Sequence, residues 1–189
     1  MKKLLLERNL VSPISLLILM SIAMPIAFNA WSAMLNNFVV EKAAFTGVEI
    51  GILQSLREVP GFLSFTLIFV LLVIKEQTFA VFSLALLGLG VCLTGFFPTV
   101  YGLYFTTVLM SIGFHYFEAV KQSLSLQWLS KSEAPIVLGK LLAVGSLTSL
   151  ILYGCLWTLL EFFKLPYWIN FAIAGGICMG IALIMFLLF

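Results

Sequence analysis

The sequence predicts an all-α, polytopic membrane protein with six transmembrane helices in a single domain spanning 1–189. Of its 189 residues 62% are hydrophobic and only 10% are charged. A soluble domain carries about 25% charge, so a soluble fold would leave this much apolar surface uncovered. The apolar residues are gathered into six stretches, most of them close to the roughly 20 residues that cross a bilayer as a helix. In lipid the backbone must satisfy its own polar groups, which a helix does within one segment. The short alternating runs of barrel strands are missing.

The spans are expected near 11–35, 47–73, 79–97, 100–128, 137–160 and 167–189. The first resembles a signal peptide, with Met1-Lys-Lys, an apolar stretch and Ala30-Trp-Ser-Ala33. Glu7 interrupts the basic region, however, and the apolar stretch runs on, so an uncleaved first span is expected. Asn36-Asn37 and Glu41-Lys42 separate it from the second span, in which Pro60 is expected to bend the helix. Lys75-Glu76-Gln77 ends the second span, and Pro98 marks a tight turn after the third. The fourth and fifth are divided by Ser130-Lys-Ser-Glu-Ala-Pro135, and the last two by Lys164-Leu-Pro166. The third and sixth spans carry almost nothing polar and are expected to be the most lipid-exposed. The chain stops at Leu-Ile-Met-Phe-Leu-Leu-Phe189 with no basic flank, which reads as part of a longer chain or one whose partner lies elsewhere.

Orientation follows from the positive-inside rule. With the N-terminus in the cytoplasm, the inner side collects Lys2, Lys3, Arg8, Lys75, Lys131 and Lys140, against Lys42 and Lys164 outside. Six spans return the C-terminus to the cytoplasm. The expected location is a bacterial inner membrane, with the lipid bilayer as the first partner. Trp128, Trp157, Trp168, Tyr101 and Tyr167 lie near span ends and read as interfacial anchors. Cys92, Cys155 and Cys178 stand in apolar runs without metal-ligand spacing and read as small core side chains. A net charge of +2 with no basic, aromatic-interleaved surface gives no case for nucleic acid.

Deep charge is confined to two spans. The second holds Arg57 and Glu58; the fourth holds His115, Glu118 and Lys121; from Gln77 to Phe114 there is no Asp, Glu, Lys, Arg or His. An ionisable group costs about 2.5–3.5 kcal/mol on insertion scales, so each is a functional candidate. In the fourth span Thr107, Ser111, His115, Glu118, Gln122 and Ser125 step by three and four, one polar stripe on one helix face. Gln54, Arg57, Glu58, Gly61 and Ser64 cluster in the second span, and Ser21, Pro25, Asn29, Ser32 and Asn36 make a weaker stripe in the first. Counting at 1.5 Å per residue puts Arg57, Glu58, His115 and Glu118 near the membrane midplane, where they could share a site if the two helices face each other.

Each candidate has two readings. His115 and Glu118 form either a substrate or proton site, histidine being the side chain that changes charge near neutral pH, or a hydrogen-bonded pair inside the bundle. Arg57 and Glu58 are either anion-binding or coupling charges, or a structural pair in which Glu118 neutralises Arg57 or Lys121 neutralises Glu58. Asn29 and Asn36 either bind substrate or, more commonly for such residues, bond a neighbouring helix. His115-x-x-Glu118 has no second motif to complete a metal site. No enzyme motif of the His-Glu-x-x-His or Gly-x-Ser-x-Gly kind occurs, so no enzymatic activity and no cofactor is expected.

Two stretches of text go further. Gly47-Val-Glu-Ile-Gly-Ile-Leu-Gln-Ser-Leu-Arg-Glu-Val-Pro-Gly-Phe-Leu-Ser64 resembles the second helix of the major facilitator superfamily. The run from Ser111-Ile-Gly-Phe through Ser130-Lys-Ser-Glu-Ala-Pro135 to Gly139-Lys-Leu-Leu-Ala-Val-Gly145 resembles that family's fourth helix, inner loop and fifth helix. The likeness extends over essentially the whole chain and is to the N-terminal six-helix half. It implies a 3+3 inverted repeat, a second six-helix half (in the same gene or as a homodimer), and alternating-access transport of a small-molecule substrate bound at midplane, with proton coupling open. The candidate substrate- or proton-binding residues, taken from the deep charges and the polar stripes, are Asn29, Arg57, Glu58, His115, Glu118 and Gln122. The loop Ile74-Lys-Glu-Gln-Thr78 departs from the family's Gly-x-x-x-Asp-Arg-x-Gly-Arg-like pattern. The fifth span lacks the Gly-Pro pair of drug antiporters, which argues against multidrug export. The other reading is a non-transporting scaffold or sensor module using the same polar core for assembly.

Overall fold

A computed structural model of the chain describes residues 12–188. The expected inner-side charges Lys2, Lys3 and Arg8, the interrupting Glu7, and Phe189 lie outside the described residues. The described chain is helical, with no strand. In order, α1 covers Pro13–Ala43, α2 Gly47–Phe62, α3 Leu67–Leu71, α4 Glu76–Thr94, α5 Val100–Trp128, α6 Ala134–Trp157 and α7 Tyr167–Leu188. A 3-10 turn, Leu63–Thr66, joins α2 to α3, and a single π turn, Thr158–Phe162, extends α6. Four of these helical stretches are long and apolar enough to cross a membrane: α1, α4, α6 with its π turn, and α7.

Local chemistry explains where the helices start and stop. Ser12 caps α1 by accepting from the Ser15 amide at 3.1 Å, and Pro13 follows at the first helical position, where no amide is missed. Thr46 and Glu49 form a capping box at the start of α2. Thr99 caps α5 by accepting from the Gly102 amide. The first helix runs past its expected end, and Asn36-Asn37 and Glu41-Lys42 lie inside it. It stops at Ala44, a left-handed residue with φ 52° whose amide bonds the Val39 carbonyl. Polar residues at the membrane edge do not break a helix whose exposed backbone is already paired, which is why composition placed that boundary too early. The second segment does break. Pro60 cannot donate to Leu56, and three residues later the helix tightens into the 3-10 turn.

The core is shared by α1, α4, α5 and α7, with Trp31, Phe117 and Phe171 its largest fully buried side chains. The third and sixth segments, α4 and α7, are not the most lipid-exposed. Half of the most apolar stretch of α4 is buried and a third of that of α7, against 6% of that of α6. Helices in lipid gain little from burying apolar chains against one another and pack through small residues instead. A Cβ added at Gly113 of α5 would stand 2.3 Å from the Leu87 nitrogen of α4. One added at Gly175 of α7 would stand 2.3 Å from the Gly88 oxygen. Glycine therefore brings α4 into backbone contact with both neighbours, and polarity alone could not report it.

The helices at the edges are α2 and α6. Within α2 only Leu53 and Pro60 are buried, and within α6 only Leu141 and Leu156. The principal packing pairs are α4 with α5, α4 with α7, α1 with α7, α1 with α6, and α2 with α5.

Candidate functional site

The charged second segment is held to α5 mainly by hydroxyl groups. Tyr104 donates to the Glu49 carbonyl at 3.4 Å, Ser111 donates to the Arg57 carbonyl, and Tyr116 donates to the Leu63 carbonyl at 3.2 Å. Thr66 also hydrogen-bonds Tyr116 and donates to the same Leu63 carbonyl at 2.8 Å. The Arg57 and Leu63 carbonyls lie on either side of the proline-induced break, and the Glu49 carbonyl lies in the first turn of α2. These bonds set the register that puts Arg57, Glu58 and Gly61 beside His115.

There the first cluster forms. Arg57 donates from Nε and Nη2 to Glu58 Oε1, at 3.0 and 2.6 Å. The other carboxylate oxygen, Oε2, lies 3.9 Å from His115 Nε2, beyond hydrogen-bond distance. Gly61 allows this approach: a Cβ there would stand 2.7 Å from His115 Cε1. The His115 ring also meets Phe114 edge-on, and Phe114 stacks on Phe28 of α1 with centroids 4.0 Å apart. The aromatic stack thus ties α1 to the same turn of α5.

Glu118 and Gln122 belong to a second cluster. With Lys121 and Ser125 of α5 and Leu138 and Leu141 of α6 they line a cavity of about 250 Å³. Lys121 Nζ stands 3.8 Å from Glu118 Oε1, and that oxygen is buried without a hydrogen-bond partner. The pairing expected from sequence is corrected here. Glu118 does not neutralise Arg57, and Lys121 does not neutralise Glu58; each acid pairs on its own helix, because the stripe on α5 turns from α2 toward α6 as it descends.

Asn29 stands apart from both. It is half-buried and donates to Ser149 Oγ of α6 at 2.7 Å, and Ser149 donates onward to the Gly145 carbonyl. Asn36 is exposed. We expect a double-mutant cycle of Asn29→Ala and Ser149→Ala to give a coupling near 0.6 kcal/mol, the average for membrane hydrogen bonds, measured by thermal unfolding in detergent. Strict additivity would show that the bond does not hold α1 to α6.

Sequence reasoning missed Tyr104, Thr66 and Tyr116. The available signal was that the hydroxyl of a half-buried tyrosine requires a partner, yet Tyr116 lies off the polar stripe and its partner is the Leu63 carbonyl of the 3-10 turn. Among the described residues no group of three or more His, Cys, Asp or Glu is placed to hold a metal ion. No protein-family model matches the chain, and no curated protein or solved structure matches it. Functional assignment therefore rests on the geometry.

Proposed function

We propose that the chain is the N-terminal six-helix half of a facilitator-type secondary transporter, moving a small molecule across an inner membrane by alternating access. The carrying observation is where uncovered surface and charge coincide. The two least-buried segments, α2 and α6, flank α5, whose ionisable stripe is only partly covered by them. A second six-helix unit, from the same gene or a second copy, would close that face into a polar cavity near midplane.

The packing pattern supports the same reading. Exchanging the first three segments with the last three turns the α1–α6 pair into α5–α2. It turns α1–α7 into α5–α4 and leaves α4–α7 unchanged. Two three-helix units related in this way, each with an odd number of spans, have opposite orientations in the membrane, as inverted repeats do. In this reading Arg57, Glu58 and His115 form the nearer half of the binding site, Glu118 and Gln122 line its cytoplasmic continuation, and Asn29 braces α1 against α6.

The test is a ligand-dependent thermal-shift screen of the purified protein against amino acids, sugars, nucleosides and organic ions, at an acidic and a neutral pH. At least one class should stabilise the protein and lose that effect in His115→Ala. Stabilisation untouched by substitutions at His115, Glu58 and Arg57 would refute the site; no stabilisation by any class would count against transport.

A further inference from the structure

The cavity of about 250 Å³ between α5 and α6 has two unlike walls. Glu118, Lys121 and Gln122 of α5 supply an acid, a base and an amide; Leu138, Leu141 and Leu142 of α6 supply only hydrocarbon. Ser125, at the edge of the polar wall, already donates to the Lys121 carbonyl at 2.7 Å. The acid and the base do not close on each other. Lys121 Nζ stands 3.8 Å from Glu118 Oε1, beyond hydrogen-bond distance. Among the described residues the Lys121 ammonium and the Gln122 side chain have no hydrogen-bond partner. Yet the Lys121 side chain is only 20% exposed, whereas that of Glu118 is 43% exposed. Lysine is ordinarily a surface residue, and its three N–H donors require acceptors. A loose pair of this kind contributes little to stability, so holding the fold does not explain its place in a cavity.

The two walls narrow the chemistry of an occupant. The volume lies below the roughly 300–1,000 Å³ of sites for drug-sized ligands, so the occupant is small. A sugar or other polyol would press hydroxyls against the leucines and leave them unpaired. A lone anion or cation would satisfy one member of the pair and stand against the like charge of the other. An α-amino acid carries both charges on one carbon, with about 2.5 Å between its nitrogen and its carboxyl carbon by standard bond lengths. It can therefore meet Lys121 and Glu118 together, and an aliphatic side chain suits the opposite wall.

We propose that this cavity binds a small α-amino acid with an aliphatic side chain, its carboxylate on Lys121, its ammonium on Glu118 and its side chain against Leu138 and Leu141. Only the use of the bound molecule as cargo rests on the transport reading; the binding does not.

The experiment measures equilibrium binding by calorimetry to the full chain in lipid nanodiscs. The probes are leucine and two analogues that each lack one charge, 3-methylbutylamine and 4-methylpentanoate. Leucine should bind at least tenfold more tightly than either. Glu118→Gln should erase the margin over 4-methylpentanoate and keep that over 3-methylbutylamine; Lys121→Gln should do the reverse. A pair that only braces the helix would not produce that crossed pattern. Leu142→Trp, at a position 74% exposed, should block leucine without lowering the thermal midpoint, and it locates the site if the charge variants fail to fold. Equal binding of leucine and either analogue would overturn the proposal. So would the absence of leucine binding, or leucine binding untouched by Leu142→Trp. Uptake into liposomes separates the two readings. Leucine bound in this pattern but not taken up supports the cavity and counts against transport; uptake of another class without leucine binding supports transport and overturns the cavity's assignment.

Discussion

Replacing Gly113 with leucine is expected to abolish the accumulation of folded protein, the largest effect of any single substitution considered. A Cβ at this position would stand 2.3 Å from the Leu87 nitrogen, 2.7 Å from its Cα and 2.7 Å from the Ser83 oxygen. All three are backbone atoms of α4 and no rotamer change can move them aside. The two helices must separate, and α4 is also in backbone contact with α7 through Gly88 and Gly175. Overpacking a core costs about 1–3 kcal/mol where side chains can adjust, so alanine should already lower the thermal midpoint and leucine should exceed what the bundle tolerates. An internal control lies on α7. Gly175 is in contact with α4, whereas nothing lies within 4 Å of a Cβ on Gly176. Gly175→Leu should fail and Gly176→Leu should be tolerated, read by size-exclusion profile and thermal midpoint in detergent. A Gly113→Leu protein as stable as the parent would show that the α4–α5 crossing is not as close as described.

The second large effect concerns Glu58. Glu58→Gln is expected to leave protein level nearly unchanged and to weaken ligand-dependent stabilisation by roughly ten- to a hundredfold. The side chains of Arg57 and Glu58 are 27% and 60% exposed. An ion pair this accessible contributes little to stability, so losing one partner leaves a charge that water in a cavity can solvate. A hydrogen bond from a ligand to a charged group is worth about 1.5–3 kcal/mol, which corresponds to that range in affinity. The structural alternative gives the opposite pattern. If Glu58→Gln lowers expression and the double variant with Arg57→Gln restores both expression and ligand response, the pair only holds the helix. Arg57→Gln and Glu118→Gln should combine additively, because the two residues belong to different clusters.

Much of the helix layout was legible in the chain. The positions of Pro98, Ser130-Lys-Ser-Glu-Ala-Pro135 and Lys164-Leu-Pro166 divide the helices close to where they are divided, since turns in such a chain need proline and polar residues at the interface. The stripe from Ser111 to Ser125 was legible too, because helical spacing fixes which residues share a face whatever the neighbours are. Which neighbour that face meets was not. Ser111 and His115 face α2, Glu118 and Gln122 face α6, and Asn29 bonds Ser149 across a separate crossing. The error about α4 and α7 has the same origin. A sequence shows what a helix lacks in polarity, but the value of Gly88, Gly113 and Gly175 depends on which backbone comes opposite.

The sequence by itself determined the all-helical, apolar character of the protein, most of its helix boundaries and which two helices carry Arg57, Glu58, His115, Glu118 and Lys121. These are properties of one segment by itself, set by hydrogen-bond satisfaction and helical spacing. Only the tertiary structure decided that Glu58 bridges Arg57 toward His115, that Glu118 turns to Lys121, and that α4 is the helix most closely packed by its neighbours. Those outcomes depend on close approaches between distant segments, where a missing Cβ or one tyrosine hydroxyl selects the partner, and spacing along a single helix carries no record of that choice.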